Sequence, residues 1–242
     1  MPTTLKEAAS STNDKLSFPA RDIRYLLERG YPKTSSIRFV GDRYNLDRNE
    51  RHILTRVIVP PKTAVTRNRK KLTLKEISGK MVLVDGYNVL ITIEGMLEDY
   101  TLWLCDDGFV RDTRGIFRSH KNTDITHKAL KYMCSILSKS SVLYVKVLLD
   151  SQMGKSGELA ALIRQELVSS SLRGEVLTSA HVDFDLKYAG SGYVIATADG
   201  VIIDTVEKVI DLPAAIIEEM NSRVKVILSD HLHQIHTNCI KS

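Results

Sequence analysis

The chain has 242 residues, 43% of them hydrophobic, and a formal net charge of +5. That length supports one substantial core plus a small satellite unit, because domains run roughly 100–200 residues. The three cysteines (Cys105, Cys134, Cys239) lack C-x-x-C spacing, which argues against a disulfide framework or zinc knuckle. The chain also lacks an apolar run near the ~20 residues of a membrane span and a signal-peptide core, so we expect a cytoplasmic protein with no membrane partner.

In chain order, residues 1–16 are polar and read as an N-terminal tail. Pro19 opens and Gly30 closes a helical pattern with Ile23, Leu26 and Leu27 on one face. A second helix is predicted around Ser36–Tyr44. Asp47 with Glu50 three residues later resembles a capping box, and Ile53, Leu54 and Val57 supply the apolar stripe that follows. Residues 17–60 therefore read as a small helical domain, with Arg21, Arg24, Arg48 and Arg51 on its outer side. Pro60 and Pro61 end it. Residues 61–71, with Arg67, Arg69, Lys70 and Lys71, read as a basic linker.

From residue 72 to 230, apolar strand-like runs alternate with helical patterns, the mark of a parallel sheet covered on both faces. Predicted strands are Met81–Val84, Val142–Leu149, Val176–Val182, Tyr193–Ala198 and Val224–Leu228. Predicted helices are Ile125–Leu137, Gly157–Val168 and Ala214–Asn221. Thr92–Thr123 reads as an insertion carrying a hairpin that turns at Asp107-Gly108. Residues 231–242 form a tail with His231, His233 and His236, whose spacing fits no zinc motif.

Charge divides along the same line. Residues 1–80 hold 18 Lys+Arg against 8 Asp+Glu, a surplus of +10, whereas the remainder holds 16 against 21, a deficit of −5. A basic front attracts polyanions and an acidic rear attracts cations.

The acidic residues are not scattered. Asp85, Asp150, Asp183 and Asp199 each stand where an apolar run ends, the end of a parallel sheet at which working sites form. Each alone suits a helix cap or turn, and Asp199-Gly200 also suits a hairpin turn. Together they suit an oxygen-ligand site for Mg²⁺ or Mn²⁺, with Asp185 and Asp204 in reserve. Gly154-Lys155-Ser156 is no P-loop, because Leu149 occupies the position of the first glycine.

The segment VLVDGYNVL (Val82–Leu90) resembles the D-G-x-N first-strand motif of the NYN branch of the PIN-like nuclease superfamily. The later order of Asp150, Asp183 and the ATAD segment ending in Asp199 is similar to that superfamily's. An Arg-rich unit ahead of such a domain also resembles an uncharacterised, mostly archaeal two-part family. The resemblance implies a PIN-like three-layer α/β fold with a mainly parallel central sheet, preceded by a small helical domain.

It further implies metal-dependent hydrolysis of RNA. Asp85, Asp150, Asp183 and Asp199 would hold the metal, Asn88 would orient Asp85 or touch substrate, and a homodimer is an arrangement such chains adopt. Arg111, Arg114 and Arg118 in the insertion would lead an RNA strand inward, and Tyr87 would stack a base. Two alternatives stay open: a catalytically silent PIN-like domain that docks on RNA or a ribonucleoprotein, and a metal-dependent nucleotide phosphohydrolase.

Overall fold

A computed structural model describes residues 3–114, 120–220 and 225–226. The described residues within Met1–Val65, Trp103–Thr113 and Val224–Ser242 form one compact unit, and Thr66–Leu102 with Arg114–Arg223 form a second.

The first unit is built on α1 (Thr3–Glu28), α2 (Lys33–Arg43) and α3 (Arg48–Val57). Helix α1 begins well before Pro19, so most of the expected polar tail is helical; Pro19 lies inside the helix and withholds one N–H from its ladder. The helix holds because Leu16, Ala20, Ile23 and Leu27 recur at helical spacing and are all buried. They meet Ile37, Val40, Ile53, Leu54 and Val57 in one core. The capping box that starts α3 is present as expected: Glu50 N donates to Asp47 Oδ1 and Asp47 N to Glu50 Oε2, both at 2.8 Å.

Strands β2 (Leu102–Leu104) and β3 (Val110–Asp112) are neighbours joined through the expected Asp107-Gly108 turn. Gly108 has φ +78°, a left-handed conformation that glycine adopts without steric cost. Trp103 and Cys105 pack into the helical core, so the hairpin belongs with the helices rather than standing as an insertion of the α/β unit. Strand β8 (Lys225–Val226) pairs in parallel with β2, which removes the expected Val224–Leu228 strand from the main sheet.

The second unit is α/β. Strands β1 (Met81–Asp85), β4 (Tyr144–Asp150), β5 (Gly174–Ser179), β6 (Tyr193–Ala196) and β7 (Val209–Ile210) form a parallel sheet in the order β5-β4-β1-β6-β7. From β1 the chain moves outward through β4 to β5, then crosses back to β6 and β7. The reversal puts a topological switch point between β1 and β6.

Helices α5 (Gly86–Leu97), α6 (Asp124–Lys139), α7 (Ser156–Ser169) and α10 (Leu212–Glu219) pack as one group, while the short α8 (Val182–Lys187) and α9 (Gly200–Thr205) pack together. This split is what right-handed crossovers running in opposite directions along a sheet produce. Among the described residues, no helix is long and apolar enough to cross a membrane.

Three sequence expectations change here. Helix α5 was not expected, and its later part falls within the stretch read as an insertion; all its positions from Gly86 to Gly95 except Asn88 are buried, so it shows no amphipathic stripe, and Val89, Ile91 and Ile93 mimic a strand. The predicted Val176–Val182 strand stops at Ser179, and Val182 starts α8. The basic tract is helix α4 (Pro61–Lys70) rather than a linker, with Pro61 at the first helical position, where its missing N–H costs nothing.

Candidate active site at the carboxyl ends of the sheet

Asp85 is the last residue of β1 and leads straight into α5. That junction lies directly against β4: a Cβ on Gly86 would come within 2.5 Å of Leu149 Cδ2 and 2.7 Å of the Leu148 carbonyl oxygen. Only glycine fits at this point of the D-G-Y-N motif.

Across the switch point, β6 ends at Ala196 and runs on through Thr197-Ala198-Asp199, and the two segments are tied together. The Thr197 hydroxyl donates to Asp85 Oδ2 at 2.8 Å, and its oxygen accepts from the Asp199 N–H at 3.1 Å. Asn88 Oδ1 accepts the Ala198 N–H at 3.0 Å. Thr197 is buried, and sequence reasoning gave it no role although it stands in the T-x-D pattern. The signal was a hydroxyl two residues before a strand-terminal acid, where it can bond the backbone of the turn.

Asp199 caps α9, its Oδ1 accepting from Val201 N at 2.8 Å and Ile202 N at 3.3 Å. It is therefore a helix cap and not the corner of a hairpin. Asp183 stands in the first turn of α8 rather than at a strand end, and α8 packs beside β1, β4 and α9. Asp85 keeps a partly exposed surface, yet its carboxyl lies in dense surroundings. Burial first, then the Asp199 and Asp183 charges, push its pKa up to about 7, while the Thr197 hydroxyl and the Asn88 backbone N–H act in the opposite sense.

Asp150 ends β4 two residues beyond Leu148, which is level with Asp85, and its Oδ1 accepts from Gln152 N at 2.8 Å. Its charge acts on the Tyr87 phenol, which burial raises first and Asp150 raises further. Asp185 faces Ser179, whose hydroxyl donates to Asp185 Oδ2. Asp204 lies at the far end of α9 in a two-pronged pair with Arg67, both contacts at 2.7 Å. The structure thus brings Asp85, Asp183 and Asp199 into one electrostatic field, sets Asp150 beside it, and commits Asp204 elsewhere.

These carboxylates offer oxygen ligands only, and their mutual repulsion is what a hard divalent cation relieves. Asp150 and Asp199 hold backbone amides through Oδ1, which leaves Oδ2 as the oxygen each could offer to a cation. Among the described residues, no group of three or more His, Cys, Asp or Glu side chains is gathered tightly enough to hold a metal as it stands. The donor chemistry fits Mg²⁺ or Mn²⁺, and a bound ion would have to draw the carboxylates inward.

The expected nucleic-acid set divides sharply. Arg24 is turned inward onto Asp106 at 2.6 Å, with both side chains largely buried, and Asp106 also accepts the Val59 N–H. Arg51 covers Gly41 and bonds the Leu46 carbonyl and Asp42. Arg111 is buried in a two-pronged pair with the fully buried Asp107, at 2.7 and 2.8 Å. Arg67 holds Asp204, Lys70 bonds the Ile203 and Asp204 carbonyls, and Lys71 pairs with Asp211. Tyr87 is buried edge-on to His120, 5.5 Å between centroids, so it presents no ring face for a base.

An arginine, lysine or tyrosine in a polar-looking stretch gives no sign in the sequence of which partner it will turn to. Arg21, Arg48 and Arg69 are exposed, and Arg114 stacks over Tyr100 at 3.8 Å. Arg118 and the three C-terminal histidines lie outside the described residues. Sequence reasoning also missed a buried polar group in the α/β unit, in which Glu94 receives the Thr126 hydroxyl at 2.6 Å and lies 3.0 Å from His120 Nε2.

The family model described as "Domain of unknown function (DUF5616)" matches residues 74–215, and that described as "Protein of unknown function (DUF434)" matches residues 15–70. A protein of Methanocaldococcus jannaschii described as uncharacterized is 34% identical over 204 residues, which cover 84% of this chain and 96% of that protein. No solved structure matches the chain.

Proposed function

We propose that this chain, which belongs to the family described as "Domain of unknown function (DUF5616)", is a PIN-like, metal-dependent ribonuclease or RNA-processing factor. The observation that carries this reading is the raised pKa of Asp85, caused by burial together with the Asp199 and Asp183 charges, beside the switch point of a parallel sheet. Carboxylates held together against their own repulsion are stable once a divalent cation joins them. When bound, Mg²⁺ or Mn²⁺ would activate water and stabilise the leaving oxygen of a phosphodiester.

The chain's own residues set up that arrangement. Asp85, Asp183 and Asp199 would hold the ion, with Asp150 at the next strand end. Thr197 holds Asp85 Oδ2, and Asn88 fixes the turn that carries Asp199. The basic surplus of residues 1–80 supports a polyanionic substrate over a small one.

A second reading, a catalytically silent domain that docks on RNA, draws support from the absence, among the described residues, of a ready group of three metal-binding side chains. The test is incubation of the purified protein with end-labelled single-stranded and structured RNAs in Mn²⁺, Mg²⁺ or EDTA, with mononucleotides as competitors. Metal-dependent cleavage supports the nuclease. Binding without cleavage in either metal selects the docking protein, and suppression of cleavage by mononucleotides at equal concentration points to a nucleotide phosphohydrolase.

A further inference from the structure

Helix α1 carries two opposed stripes. Leu16, Ala20, Ile23 and Leu27 face the core of the helical unit. Phe18, Arg21, Tyr25 and Arg29 fall within an arc of about 80° on the opposite side, along ~16 Å of the axis. Phe18 is 57% exposed and Tyr25 54%, while the two arginines are exposed as well. The Arg21 guanidinium lies over the Phe18 ring, 5.2 Å from its centroid, and Arg29 over Tyr25 at 3.4 Å, with Arg29 Nη1 3.4 Å from the Tyr25 carbonyl oxygen.

Alternating exposed rings and stacked guanidinium groups form a specific kind of surface. Every nucleobase has a flat face that can stack on an aromatic ring or an arginine plane, and guanidinium groups reach the phosphates between bases. A paired helix hides its base faces inside the stack, so such a surface selects unpaired nucleotides. The charge favours the same occupant, since residues 1–80 carry the surplus of +10. Here, unlike at Arg24, which is turned inward onto Asp106, exposed guanidinium groups lie over exposed rings.

We infer that the Phe18-Arg21-Tyr25-Arg29 face of α1 is a stacking platform for single-stranded RNA, which deepens the ribonuclease reading, and rests on it, by fixing the substrate class as unpaired strands. None of Phe18, Tyr25 or Arg29 was singled out by the sequence.

The experiment compares full-length wild type, Phe18→Leu/Tyr25→Leu and Arg21→Gln/Arg29→Gln. Binding to a fluorescein-labelled unstructured RNA and to a fully paired duplex is measured by anisotropy in EDTA over a range of salt, with circular dichroism as the fold check. The leucine variant keeps the apolar bulk and removes the rings. It is expected to lose about tenfold or more in affinity for the unstructured RNA, with its salt dependence retained. The glutamine variant is expected to lose affinity and to show a shallower salt dependence.

Unchanged affinity in the leucine variant overturns the platform, as does tighter wild-type binding to the duplex. A change in oligomeric mass at unchanged RNA affinity overturns it too, and makes the stripe a contact between copies of the chain. Cleavage is scored separately in Mn²⁺. A wild type that binds through the stripe without cutting removes the nuclease and leaves the platform. A wild type that cuts, with a leucine variant binding equally well, removes the platform and leaves the nuclease.

Discussion

The Thr197 hydroxyl donates to Asp85 Oδ2 at 2.8 Å and accepts the Asp199 N–H at 3.1 Å, so one side chain joins the end of β1 to the end of β6 across the switch point. That single oxygen ties the Asp85 carboxylate to the backbone of Asp199 and makes Asp85 easier to ionise. Thr197→Val keeps the shape and removes the hydroxyl. Asp85 should then become harder to ionise, and the pH profile of metal-dependent cleavage should move to higher pH than in wild type. A profile that stays in place would show that Thr197 does not act on Asp85.

Asp85 also sets a stability relationship with a definite sign. Its folded pKa of about 7 lies above the ordinary 3.8, so the folded state holds a proton that the unfolded state gives up. Stability without metal should therefore fall as pH rises from about 4 to about 7 and level off above. Asp85→Asn cannot titrate there. Denaturation in EDTA should find the variant more stable than wild type, with a gap that widens across that window to at most about 4 kcal/mol.

Gly86 is required by packing rather than by its own dihedral angles. Gly86→Ala would drive a methyl group into the Leu148 carbonyl and the Leu149 side chain. Thermal or urea unfolding should show a loss of about 1–3 kcal/mol, the usual cost of overfilling a packed site. Unchanged stability would mean that the β1–α5 junction can move away from β4.

Arg111 and Asp107 form a buried pair inside the hairpin of the first unit. Arg111→Leu takes the two-pronged guanidinium partner from the fully buried Asp107 carboxylate and should cost about 3–5 kcal/mol. The double variant Arg111→Leu/Asp107→Leu should recover most of that loss. Were Arg111 a phosphate contact instead, the single variant would weaken RNA binding without destabilising the chain.

Much of this architecture was legible in the sequence because its elements carry periodic apolar faces. The α3 capping box, the Asp107-Gly108 turn, the strand at Met81 and helices α6 and α7 all follow from local rules. Helix α5 was hidden because burial on nearly every side erases the period that marks a helix. Helix α8 was hidden because Asp183 follows closely on a strand and only the chain's turn at Ser179 separates them.

For the site, strand-terminal aspartates could be found from spacing alone, but which of them share a field could not. That depends on the crossing back from β5 to β6, which places Asp199 beside Asp85 and leaves Asp204 to Arg67. The arginines depend on the fold in the same way. Arg24, Arg51 and Arg111 stand in polar stretches, and only the fold reveals that each is answered by an aspartate of its own unit.

The measurement that bears most directly on the central reading is single-turnover cleavage of an end-labelled unstructured RNA by wild type and Asp85→Asn, each with Mn²⁺ and with EDTA. The account predicts cutting by wild type in Mn²⁺ alone, and none by Asp85→Asn although it still binds the RNA. Equal cutting by the two proteins, or wild-type cutting that persists in EDTA, would contradict it.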